Sequence, residues 1–130
     1  MDVGIPWYGR RYLEWVRVGV IPLEQLQEMF AGMRQRSGWD VDGPLLWGYF
    51  FMHSGREPLQ KTAEFLEASG YRLVGINENA PGLFVLHVER VETHSAETLF
   101  ARNAELYGVA GRFGLDSYDG MDVGPVLAVN

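Results

Sequence analysis

His53, His87 and His94 are the side chains best suited to metal or proton chemistry in this 130-residue chain, and Glu92 lies two residues before His94. Two imidazoles and a carboxylate suffice to bind zinc or iron. The strand ending near His53 is expected to run parallel to the one ending near His94, which would bring those two rings and Glu92 to one end of a sheet. His87 would stay outside, because strand parity turns it to the opposite face from Glu92. A satisfied or exposed imidazole is the simpler account of all three, so no metal and no cofactor is expected.

Nucleophilic and phosphate chemistry find no support. Ser37, Ser54, Ser69, Ser95 and Ser117 each fit a helix end, a turn or a strand, and none lies in a Gly-x-Ser-x-Gly elbow. The chain has no cysteine, which removes thiolate nucleophiles, disulfides and Cys-based zinc sites together. There is no Walker A loop and no dinucleotide fingerprint; the glycines are scattered at element ends. Asp116, Asp119 and Asp122 are spaced three apart but lack the glycine pattern and closing glutamate of a calcium loop. They read as a solvated acidic edge.

What remains is contact chemistry. Tyrosine is favoured at binding hot spots, and Tyr118 stands beside carboxylates in Tyr118-Asp119-Gly120, a turn expected to project from a rigid strand. Its structural counterpart is a turn whose ring caps the core. Asn103 falls on the apolar stripe of the preceding helix and, if buried, needs partners, for which a backbone group of the strand beneath is expected.

The elements that would carry these residues follow from periodicity. Ser95 is a good N-cap and Glu97 suits the positive helix end, so a helix is expected from Ser95 to Gly111 with Leu99, Leu106, Val109 and Ala110 on one face. Leu115 to Tyr118 then reads as a short strand and Asp119-Gly120 as a turn. Earlier, Pro22 to Arg36 reads as a helix with Leu23, Leu26, Phe30 and Met33 inward. Pro44 to Met52 is an alternating strand that is apolar on both faces, so something should cover the second: the N-terminal helix and arm, a second subunit, or a partner. Gly48 within it suggests a close approach of backbone or an aromatic ring. Glu57 to Ser69 reads as a helix, Tyr71 to Ile76 as a strand, Asn77 to Gly82 as a turn, and Leu83 to Thr93 as a long returning strand. Met1 to Gly19 holds Trp7, Tyr8, Tyr12 and Trp15, too many large aromatics for a loose tail, and its pattern fits helix and strand equally.

Strand, helix, strand, strand, helix, strand is the ferredoxin-like split βαβ order. The expected fold is therefore an α+β sandwich, a four-stranded antiparallel sheet with both helices on one face, the first and third strands central, and an added N-terminal helix and arm. One compact unit is expected at this length, with residues 1–43 as arm and helix packed on a core domain of residues 44–130.

The run Leu99, Leu106, Ala110, Arg112-Phe113 and Tyr118-Asp119-Gly120, a helix leading into a short strand and acidic turn, resembles the C-terminal half of the regulator of ribonuclease E activity B (RraB) family. The resemblance covers roughly Asp40 to Gly124. Met121 stands where tryptophan is expected in the inhibitor itself. Members of that family are described as protein inhibitors of an RNA-cleaving enzyme, so the resemblance implies a non-enzymatic regulator that binds a protein, an RNA-processing nuclease being the expected class.

Charge points the same way. The net charge is -6, and the acids and bases up to Asp40 balance, so the excess lies in the remainder. From Phe113 onward there are three aspartates and no basic side chain. Such a surface repels phosphate backbones and favours a basic protein partner over direct nucleic-acid binding. The expected partner-binding residues are Asp116, Tyr118, Asp119, Gly120, Met121 and Asp122. A toxin-neutralising inhibitor of the same physical class, a small ligand- or metal-binding domain, and self-association as a homodimer through the apolar sheet face are the alternatives. The N-terminus lacks signal-peptide character and no apolar run approaches the about 20 residues needed to span a bilayer. A cytoplasmic location without membrane contact is expected.

Overall fold

A computed structural model describes residues 20–126. The aromatic arm expected over Met1 to Gly19 lies outside the described residues. Helix α1 (Leu23–Arg36) starts after Pro22, whose extended backbone serves as N-cap, and places Glu24 in its first turn and Arg34 and Arg36 in its last, complementing the dipole. It buries Leu26, Met29, Phe30 and Met33. Strand β1 (Leu45–His53), helix α2 (Arg56–Ala68), strands β2 (Arg72–Ala80) and β3 (Leu83–Glu92), helix α3 (Ala96–Arg112) and strand β4 (Ser117–Gly124) follow.

The sheet order is β2-β3-β1-β4 with every neighbouring pair antiparallel, so β1 and β3 are central, as the ferredoxin-like order requires. Alternation sends Leu45, Trp47, Tyr49 and Phe51 of β1 to the helix side, where each is at most 4% exposed. Leu86 and Val88 of β3 and Tyr118, Met121 and Val123 of β4 join them. Burying such side chains stabilises the fold by about 1.5–3 kcal/mol each, which makes this layer the principal driving force. Helix α1 packs on α3, and its Phe30 ring meets Trp47 at 5.9 Å. All three described helices therefore lie on one side of the sheet, and α1 does not cover the second face.

Helix α3 begins with a reciprocal cap. Ser95 Oγ accepts from the Thr98 amide at 3.1 Å while Thr98 Oγ1 accepts from the Ser95 amide at 2.8 Å. One expected boundary moves substantially: Asn77 to Ala80, expected as a turn, continue β2, leaving only Pro81 and Gly82 to reverse the chain. An edge strand facing solvent needs only its backbone ladder to β3, so polar composition does not prevent pairing.

Candidate functional site

Strand β4 also departs from expectation. Tyr118, Asp119 and Gly120 are strand residues, not a projecting turn. Gly120 does take the positive φ expected of it, 93°, but uses it in a bulge, where the pairing to β1 slips between Tyr49 with Met121 and Phe51 with Tyr118. The extra residue lets Tyr118 and Met121 both point inward, each 1% exposed. The Tyr118 ring lies 5.1 Å from Phe51 and edge-on to Tyr107 at 5.0 Å, and burial pushes its phenol well above the usual range. Its hydroxyl donates to Asn103 Oδ1 at 2.6 Å, and Asn103 Nδ2 faces the Met121 sulfur at 3.7 Å. Asn103 is thus paired through side chains of the strand beneath, not through its backbone.

The three aspartates separate. Asp116 is exposed before the strand, its amide donating to the Met52 carbonyl at 2.9 Å. Asp119 and Asp122 share the face opposite the described helices. The Ser117 hydroxyl donates to Asp119, which is 2% exposed, whereas Asp122 is half-buried.

That second face has a built centre. Phe50 of β1 and His87 of β3 pair across the strands, and their rings stack at 4.3 Å and 20°. Beside them Gly48 lacks a side chain that would collide with both neighbours: a Cβ there would stand 2.4 Å from Asp122 Oδ1 and 2.7 Å from His87 Nε2. The glycine inferred to mark a close approach therefore admits a carboxylate and an imidazole. Burial lowers the His87 pKa against the pull of Asp122, so the ring is neutral at pH 7. Burial also raises Asp122, against His87 and hydrogen bonds from backbone amides. Next to this stack runs a groove of about 310 Å³ walled by Phe50, Met52, Leu83, Val85 and His87, with Asp119 and the side chains of Asn77 and Asn79 also lining it. The sequence signal for this groove was the second apolar face of β1. His87, Asn77 and Asn79 carried no comparable signal, because only the β2 and β3 register brings them together.

The histidine arrangement required by a metal site does not form. β1 and β3 run antiparallel, Leu45 opposite Glu92 and His53 opposite Phe84, so His53 and His94 lie at opposite ends of the sheet. His53 Nδ1 accepts from the Gly55 amide at 2.8 Å and fixes the turn into α2. His94 Nε2 and the Tyr49 hydroxyl each lie 2.8 Å from Glu92 Oε1, and Arg102 reaches Oε2 at 2.6 Å. Burial opposes ionisation of Glu92, but these partners outweigh it and hold the carboxyl at about 2. The group is a structural hub beneath α3. Among the described residues no cluster of three or more His, Cys, Asp or Glu side chains is placed to hold a metal ion, and no helix is long and apolar enough to cross a membrane.

Three described helices on one side of a sheet and a partly apolar, acid-bearing face on the other define a small α+β protein. Residues 23–123 match the family model described as regulator of ribonuclease activity B, and the chain belongs to that family. The match starts with α1, which the resemblance over roughly Asp40 to Gly124 had not included, and ends within β4. No curated protein matches the chain.

Proposed function

We propose that this chain is a non-enzymatic regulator that binds a ribonuclease and limits its action, meeting a basic segment of that protein with β4 and the sheet face opposite the described helices. The family supports the class of partner. The observation that carries the surface is the placement of Asp119 and Asp122 on the same face as Phe50, Met52 and Val85, with the helices packed on the other side. Tyr118, Gly120 and Met121 serve this surface from behind, setting the bulge that aims the two carboxylates. Asp116 adds a charge at its end. An acidic docking surface gives fast, salt-sensitive association and disfavours direct contact with RNA phosphates. The proposed place of action is the cytoplasm.

The test is capture of a ribonuclease from the native cell by the full-length protein, followed by RNA-cleavage assays with and without it. Slower cleavage and an affinity that falls steeply with added salt are expected. RNA cleavage by the purified chain alone, or an affinity flat from low to high salt, would defeat the proposal.

A further inference from the structure

On the helix side of the sheet, α2 and α3 leave a cleft of about 320 Å³ between them. Its walls are Phe65 and Leu66 of α2 and Leu106 and Val109 of α3, and the ring of Tyr71 forms its floor. The local sequence builds that floor. Gly70 takes a φ of 102° after the end of α2, and the Tyr71 amide turns back to donate to the Leu66 carbonyl at 3.0 Å, which sets the ring at the foot of the cleft. The rings of Phe65 and Phe113, 5.6 Å apart, join the two helices where α3 ends.

Two cations converge on the floor. The guanidinium carbons of Arg90 and Arg102 lie 5.2 and 5.8 Å from the centre of the Tyr71 ring. Arg90, whose side chain is 36% exposed, gives one N–H to the Ser69 carbonyl at 3.3 Å and stands 3.4 Å from Glu92, a loose set of partners for a group with five donors. Arg102 is held by Glu92 at 2.6 Å and by Glu105. These two acids differ. Glu92 is 8% exposed and also serves Tyr49 and His94, whereas Glu105 is 65% exposed and meets Arg102 as an i,i+3 pair on the surface of α3. An exposed pair of that kind contributes little to stability. Glu105 therefore holds, weakly, a place on Arg102 that fits a carboxylate, and a carboxylate arriving there also meets Arg90.

The walls decide what the carboxylate is attached to. Small-molecule sites are mostly apolar concavities with a few placed polar groups, and this cleft has that composition. A bare inorganic anion would use the arginines and leave Phe65, Leu106 and Val109 without a contact. We propose that the cleft binds a small carboxylic acid with an apolar stem, its carboxylate displacing Glu105 from Arg102 and bridging to Arg90, its stem on Tyr71 between Phe65, Leu106 and Val109. The site lies on the opposite side of the sheet from Asp122, and binding there does not depend on a ribonuclease.

The experiment titrates the isotope-labelled full chain with phenylbutyrate, phenylbutanol, acetate and inorganic phosphate, followed by amide chemical shifts. Phenylbutyrate is expected to shift amides at Phe65, Tyr71, Arg90 and Leu106 saturably, with a midpoint on the order of a millimolar or tighter. The other three should each bind about tenfold more weakly or not at all, because each lacks either the stem or the charge. Arg90→Gln should weaken phenylbutyrate about tenfold, whereas Glu64→Gln, which removes an exposed charge on α2, should leave it unchanged. Glu105→Gln removes the competing carboxylate and should tighten binding a few-fold, a gain that general loosening of α3 would not produce. Val109→Asp places a like charge on the wall without altering either arginine, and it should abolish binding even where Arg90→Gln fails to fold. Arg102 is left intact throughout, because it also holds Glu92. Shifts confined to Phe50 and His87, equal affinity for phenylbutanol or acetate, weaker binding in Glu105→Gln, or no saturable shift would overturn the assignment.

Discussion

The Tyr118 hydroxyl and the Asn103 carboxamide, 2.6 Å apart, join β4 to α3 inside the core. Each satisfies a polar group that would otherwise be buried without a partner. Tyr118→Phe leaves Asn103 Oδ1 unmatched and should lower stability by about 1–3 kcal/mol, seen as a lower urea midpoint with an unchanged slope. Adding Asn103→Leu should recover part of that loss. Partner affinity, compared at equal folded fraction, should not change, because neither side chain reaches the surface.

Glu92 ties acid stability to α3. Its carboxyl titrates at about 2 in the folded protein against 4.5 unfolded, and its side chain is 8% exposed. The lowered value means that the folded state holds the anion more firmly than the unfolded chain does. The resulting stability, on the order of 3 kcal/mol, is complete above pH 4.5 and disappears as pH falls through 2. Glu92→Gln should remove most of the corresponding pH dependence, measured as unfolding free energy against pH, and lower stability at neutral pH by leaving Arg102 with a weaker partner.

Gly48→Ala tests the close approach at the centre of the sheet face opposite the described helices. The added methyl would meet Asp122 and His87 at distances no real Cβ tolerates, 2.4 and 2.7 Å, so both must shift. A loss of about 1–3 kcal/mol is expected, together with displaced ring resonances of His87 and Phe50. A variant as stable as the parent with unmoved rings would show that the strands separate more easily than this geometry implies.

Asp122 offers the opposite sign. Burial raises its carboxyl above the ordinary value, so its charge opposes folding at neutral pH and the opposition lessens as pH falls through that raised value. Asp122→Asn should therefore melt at a higher temperature than the parent at pH 7 while binding a basic partner less well. A gain in stability accompanied by a loss of binding is the pattern expected where a surface is kept for contact.

The strands, helices and order of the core domain were legible because period-two and period-3.6 patterns survive in Leu45–Phe51, Leu59–Leu66 and Leu99–Ala110. The ends were less so. Asp119-Gly120 has turn chemistry, and only the opposing strand decides whether its positive φ is spent on a turn or on a bulge. Tyr118 suits contact because tyrosine is favoured at binding hot spots and stands beside carboxylates here; its burial is satisfied by the hydrogen bond that its hydroxyl donates to Asn103. The metal alternative failed on direction, since a hairpin-linked order makes β1 and β3 antiparallel and separates His53 from His94. The groove itself depends on cross-strand register, which composition does not encode.

The position of β4 next to β1 has a consequence for synthesis. Strand β1 cannot acquire its second neighbour until β4 has left the ribosome, 78 residues later by the Leu46 to Gly124 pairing. Until then Trp47, Tyr49 and Phe51 lack the strand that completes their cover, and the two carboxylates of the second face do not yet exist. A nascent chain halted before Ser117 would lack β4 and be a client for chaperones, so the sheet is complete only once that strand has emerged.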